Sequence, residues 1–162
     1  MGKMVTDLPW YEGSLRPDHC AQLAILGGKR LGTAGETDVA EWVLHDLEEP
    51  CRYIRRSLLV PYTEHLPFDL LLNADGEFWL VEVKTQHDGW GLPSETQKRR
   101  MTRLCEIIEN GGHRVIPLLL QLCASQAKWV LRDFPQEALP SERNGDLQGI
   151  ADKVVKWIQT HS

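Results

Sequence analysis

No apolar run in this chain approaches the length of a bilayer span, and its opening, "MGKMVTDLPWYEG", lacks the apolar core of a secretory signal. Both absences lead us to expect a cytosolic protein with no membrane partner. Cysteine is sparse: Cys20, Cys51, Cys105 and Cys123 are widely scattered and form no C-x-x-C pair, so neither a zinc site nor a disulfide framework is indicated. Buried free thiols are the expectation. A basic excess is also missing. The formal net charge is −5, which argues against a protein that coats nucleic acid through bulk electrostatics but leaves room for a local basic groove. There is no internal repeat, low-complexity tract or long linker. Nor is there a phosphate loop: in "LGGKRLGTAGE", Gly28-Lys29 is followed by Arg30, and no Gly stands five positions before Gly28.

The composition that remains is that of an ordinary soluble domain. With 162 residues, 42% hydrophobic and 25% charged, the chain can bury one real core and is short for two. We therefore read residues 1–162 as a single domain with its core at about 32–132. Residues 1–31 form an N-terminal extension and about 146–160 a closing helix.

Periodicity supplies the elements. Pro17 suits a first helical turn, and "DHCAQLAIL" runs on to the glycines at 27 and 28. Before it, residues 1–15 give only weak signals and read as a surface wrap. "TAGETDVAEWVLHDLEE" is a clearer helix, with Ala40, Val43, Leu44 and Leu47 on one face. "YIRRSLLVPY" reads as a strand ending by Pro61, and a hairpin follows it. "SETQKRRMTRLCEIIEN" is a second strong helix, with Met101, Leu104, Cys105 and Ile108 in line and "GG" as its stop. "RVIPLLLQL" and "KWVLRDF" read as strands. "DLQGIADKVVKWIQ" closes the chain as an amphipathic helix with Leu147, Ile150, Ala151, Val154, Val155 and Ile158 in its stripe. This order predicts an α/β fold, a mixed sheet flanked by helices.

The hairpin "PFDLLLNADGEFWLVEVKTQ" carries the chemistry. "DG" at Asp75 and Gly76 is a strong signal for a type I′ turn, whose two central residues both need positive φ. Taking those two as the loop pairs Ala74 with Glu77 and sets Asp69 opposite Glu82, with Lys84 two residues further along the same face. Directly opposed side chains in such a pair have Cβ atoms about 5 Å apart, and like charges there repel. A divalent cation is a natural compensation, since hard oxygen ligands suit Mg²⁺. Two other readings stay open. A loop made of all of "NADG" would put Asp69 opposite Leu80, and a solvated hairpin edge would need no metal.

Phe68 and Asp69, standing thirteen residues before Glu82-Val83-Lys84, resemble the core motif of the PD-(D/E)xK nuclease superfamily, with Phe68 in place of the name-giving Pro. The more local resemblance is to the nuclease-related domain. It is carried by "AGETDVAEWVL", "SLLVPYTEHLPFD", "DGEFWLVEVKTQHDGWG" and "ETQKRR", although the hairpin departs from that family's G-x-F-x-x-E-x-K pattern by one residue. Archaeal Holliday-junction resolvases share the skeleton, and the likeness covers roughly residues 32–122.

The resemblance implies a restriction-endonuclease-like α/β fold with helices on both faces of the sheet. It also implies a Mg²⁺- or Mn²⁺-dependent endonuclease acting on nucleic acid, with DNA the first substrate to consider and RNA still open. Asp69 and Glu82 would be metal ligands, with the Val83 carbonyl as a third. Glu36 would complete the acidic cluster, directly or through water. Lys84 would position the attacking water and stabilise charge on phosphate, and Gln97 would orient Lys84 or the substrate. A structure-specific junction resolvase, which would be a homodimer, is one alternative. A module on the same fold that binds nucleic acid or protein without cutting is another.

Each of these residues has a plainer role to weigh. "Thr33-Ala34-Gly35-Glu36" and "Ser94-Glu95-Thr96-Gln97" both match a capping box, which needs no active site. Glu36 nevertheless lies in line with Ala40, Val43 and Leu47, and Gln97 with Met101 and Leu104, so both are expected to face the sheet. The basic run Lys98, Arg99, Arg100 and Arg103 is either a solvated helix face or a rim that holds phosphates without reading sequence. Arg55 and Arg56 are candidates to add to it. Trp79 is expected in the core, and Trp90, His65 and His87 are loop residues without an assigned part.

Overall fold

A computed structural model describes residues 10–26, 34–47, 51–55, 67–136 and 147–161. Its elements are β1 (Trp10–Ser14), α1 (Pro17–Leu26), α2 (Ala34–Leu47), β2 (Cys51–Arg55), β3 (Leu70–Ala74), β4 (Glu77–Gln86), α3 (Glu95–Asn110), β5 (Ile116–Cys123), β6 (Lys128–Asp133) and α4 (Leu147–Thr160). The strands form one six-stranded sheet in the order β1-β6-β5-β4-β3-β2. Its neighbours are antiparallel except β4 and β5, which run parallel with α3 as their crossover. The fold is thus the mixed α/β sheet expected.

The "DG" turn forms as its sequence dictates. Asp75 and Gly76 have φ of 53° and 93°, and Ala74 pairs with Glu77 across a two-residue loop. Asn73 reinforces the bend, its Oδ1 accepting the Gly76 N–H at 2.8 Å. The four-residue loop is excluded by this register. Strand alternation then sorts β4 between two cores. Phe78 and Leu80 pack with Leu71 and Leu119 under Met101, Leu104, Cys105 and Ile108 of α3 and Leu147, Ile150, Val154 and Trp157 of α4. Trp79, Val81 and Val83 pack with Leu70, Leu72, Leu118 and Leu120 under Leu23 of α1 and Val39, Ala40, Val43 and Leu44 of α2. Trp79 is core, as expected, and Cys105 and Cys123 are buried free thiols, while Cys20 is half-buried.

Two boundaries depart from the sequence reading. Residues 10–14 form a strand, β1, paired with β6, where a surface wrap was expected. The strand before the hairpin starts at Cys51 rather than Tyr53. Residues 56–66 lie outside the described residues, and with them Arg56, His65 and the expected end of that strand at Pro61.

Candidate active site

Asp69 and Glu82 approach from β3 and β4 at the last rungs of their ladder. The paired residues end at Leu70 and Val81. Just before β3, the Asp69 N–H donates to the carbonyl of Val81, the partner of Leu70, at 2.7 Å, so regular pairing ends there. The Asp69 carboxylate then takes over from the backbone: Oδ2 accepts the Val83 N–H at 2.7 Å. Because N–H and C=O of one strand residue point to the same side, the Val83 carbonyl is turned towards β3 as well. By alternation Glu82 and Lys84 lie with Phe78 and Leu80 on the α3 face, where Phe68 also packs, and the Asp69 carboxylate acts on Glu82 from just outside β3.

Glu82 is buried, 6% exposed. Burial pushes its carboxyl well above the usual carboxylate range, the Asp69 carboxylate pushes the same way, and Lys84 only partly opposes them. Its two oxygens have different surroundings. Oε2 lies 3.4 Å from the Lys84 Nζ and 3.3 Å from the Gln97 Nε2. Oε1 is buried and meets no donor. With a proton, Glu82 can share a hydrogen bond with Asp69; ionised, Oε1 is an orphan acceptor beside a second negative charge.

The start of α3 shows why Gln97 is there. Ser94 caps the helix, its Oγ accepting the Gln97 N–H at 3.1 Å, while the Gln97 Oε1 accepts the Ser94 N–H at 2.8 Å. With its oxygen bound to the cap, the amide has only its NH₂ left to offer, and that end faces Glu82. Capping and site are therefore two ends of one side chain. Gln97 contacts Glu82 on the same oxygen that faces Lys84.

The other expected residues fall in three groups. α2 covers the face of Leu70, Trp79 and Val81, opposite the one that carries Asp69, Glu82 and Lys84. Facing the sheet carries Gln97 to the carboxylate pair; the expectation for Glu36 falls on a side chain outside the described residues. Lys98, Arg99, Arg100 and Arg103 are half-buried along α3. Lys98 pairs with Glu95 and Arg103 with Glu106, at 2.9 Å for the latter, so the run is partly neutralised by its own helix. Arg55 ends β2, with its side chain outside the described residues, and His87 is exposed beyond β4.

One neighbour escaped the sequence reading. Gln121 of β5 stands in register with Lys84 and is 2% exposed. Its only signal is a single amide inside the apolar run "PLLLQLC".

No family model, curated protein or solved structure matches the chain.

Proposed function

We propose that this chain is a metal-dependent phosphodiesterase that cuts nucleic acid, with DNA as its substrate and Mg²⁺ or Mn²⁺ as its cofactor. The observation that carries the reading is the buried Oε1 of Glu82, which has no donor and belongs to a carboxyl that the Asp69 carboxylate acts on and whose other oxygen faces Lys84 at 3.4 Å. An ionised pair of this kind is costly unless a cation joins it, and an all-oxygen donor set is what a hard divalent ion takes. Asp69, Glu82 and the Val83 carbonyl would hold that ion. Glu36 is a further candidate that the reading does not require.

Bound there, the metal would supply Lewis acidity towards a phosphoryl oxygen and a more acidic bound water. The chain's own residues do the rest. Lys84 places a positive charge beside the site, where charge accumulates on phosphate during displacement, with no reorganisation at that moment. Gln97 holds Glu82 in one orientation through an amide already fixed by the helix cap. The α3 cations Lys98, Arg99, Arg100 and Arg103 would position the phosphate backbone without reading sequence.

Cleavage of supercoiled, linear and branched DNA, with single-stranded RNA as control, in Mg²⁺, Mn²⁺ and EDTA tests the reading. Metal-dependent cutting should fall about a hundredfold or more in Asp69→Ala and Lys84→Ala. Full activity in Lys84→Ala would sink the mechanism, and preference for branched DNA would select junction resolution. A second reading, a module that binds without cutting, is favoured by one observation: among the described residues no group of three His, Cys, Asp or Glu gathers. Calorimetry with Mg²⁺ and Mn²⁺ separates the two, because a non-catalytic module has no reason to bind either ion.

A further inference from the structure

We propose that Gln121 is a positioning residue for Lys84, acting through Gly91. Its kinetic consequence rests on the phosphodiesterase reading; its structural consequence rests on geometry alone. Gln121 lies on β5, the parallel neighbour of β4, and pairs in register with Lys84 on the face that Leu119 shares with α3. A buried amide in a run of leucines is costly unless it is bonded. This one reaches out of the sheet: Nε2 donates to the Gly91 carbonyl at 2.7 Å, thirty positions away in the chain.

Gly91 is what joins that bond to the site. A Cβ on Gly91 would meet the Lys84 Cβ at 3.1 Å and the Gln86 side chain at 3.3 and 3.4 Å. Its φ lies outside the left-handed region, so glycine is needed here for room and not for backbone conformation. The bare backbone of the 87–93 segment therefore lies against the stem of Lys84. Both ends of the segment are tied independently. The Gln86 and His87 carbonyls accept N–H groups of Ala124 and Ser125 at 3.0 and 2.8 Å, and Ser94 caps α3. The Gln121 bond fixes the middle, at the residue that lies over Lys84. Lys84 is thereby backed on one side by Gly91 while its ammonium stays within 3.4 Å of Glu82.

Two variants break the chain of contacts at different links. Gln121→Met keeps the volume and removes the donor. Gly91→Ala leaves the donor and crowds the lysine stem. As a check on folding, Gln121→Glu keeps the shape and turns an acceptor onto the Gly91 carbonyl. The first readout needs no activity: reductive ¹³C-methylation of the lysines, with the Lys84 signal assigned through Lys84→Arg. In the wild type that signal should stand apart from solvated lysines, and in each variant it should move to their position. The second readout is steady-state cleavage. A group displaced by a fraction of an ångström costs turnover more than binding, so kcat should fall about tenfold in each variant with KM nearly unchanged. Because both act through one contact, the double variant should lose no more than the worse single one. An unmoved Lys84 signal in Gln121→Met, or losses that multiply in the double variant, would overturn the proposal. If the wild type cuts nothing, the phosphodiesterase reading fails by itself, and the lysine signal still decides the role of Gln121.

Discussion

Glu82 occupies a strand position that its neighbours on the same face, Phe78 and Leu80, fill with apolar bulk, and its carboxyl is correspondingly held well above the usual range. A raised carboxyl means that the protein resists ionising it. The stability that depends on the neutral form is complete below the unfolded-state value and is lost as pH rises through the folded one. Without metal, Tm should therefore decline from weakly acid towards neutral pH. Glu82→Gln, which is neutral at every pH, should flatten that decline and raise Tm in EDTA by about 3 °C at neutral pH. If Mg²⁺ binds the folded state as proposed, it should raise the wild-type Tm, and the same variant should lose that rise. Thermal melts of both proteins across pH, with Mg²⁺ and with EDTA, check all three points; a Glu82→Gln protein less stable than wild type in EDTA would contradict them. Cys105 offers a simpler case. Burial first, then Glu109 and Glu106, push its thiol up to about 12, so the native protein should resist alkylation at Cys105 by iodoacetamide at mildly alkaline pH and react quickly in urea. Mass spectrometry of the labelled peptide reads the difference. The closeness of Asp69 and Glu82 could be read from sequence because a two-residue turn fixes the pairs outward from it as far as Leu70 and Val81. Gln121 could not, because the Gly91 carbonyl that satisfies it is set by folding and leaves no trace in local pattern.

Among the elements, the hairpin and the start of α3 have stability set by single residues. Gly76 holds φ of 93°, where a side chain is strained, so Gly76→Ala should cost about 1–2 kcal/mol in chemical denaturation. Asp75, with φ of 53°, already tolerates the left-handed region, and Asp75→Asn should be nearly neutral. Ser94→Ala removes the cap of α3 and should cost about 1 kcal/mol. The Gln97 Oε1 is held by the Ser94 backbone N–H, which this variant keeps, so activity should fall only as far as stability does. A Ser94→Asp protein, which caps equally well, should recover both properties; recovery of stability without activity would contradict this. These elements announce themselves in sequence through local chemistry, "DG" and "S-x-x-Q". β1 does not. Its five residues, "WYEGS", gain strand pairing only from β6, and Gly13 is required because a Cβ there would meet the Trp129 ring at 2.6 Å. That contact belongs to tertiary structure and was invisible to a local reading.

For the molecule as a whole, one sheet separates two apolar layers, and the proposed site lies where a strand from the middle of that sheet emerges from between them. β4 is covered on both faces and flanked by β3 and β5, which explains why its sequence reads as nearly continuous apolar until Glu82 and Lys84. The helical faces were legible for the same reason, as stripes of matching period. Which helix covers which face was not, since α2 and α3 each present an apolar stripe that would fit either side. The architecture makes a prediction about local stability. β3, β4 and β5 have partners on both edges and packing on both faces, whereas β1 and β2 are the two rims of the sheet. Amide exchange of Leu80, Val81, Leu119 and Leu120 should approach the global unfolding limit, and that of β1 and β2 should be orders of magnitude faster through local opening. A site seated on the slowest strands would keep Asp69, Glu82 and Lys84 in fixed relation while the rims open, so metal added to the native protein should leave the exchange of β1 unchanged. It should slow exchange at the Val83 amide, whose hydrogen bond is to the Asp69 carboxylate that the ion would hold in place. Exchange of β1 that slowed together with Val83 on adding Mg²⁺ would place the bound ion elsewhere in the fold.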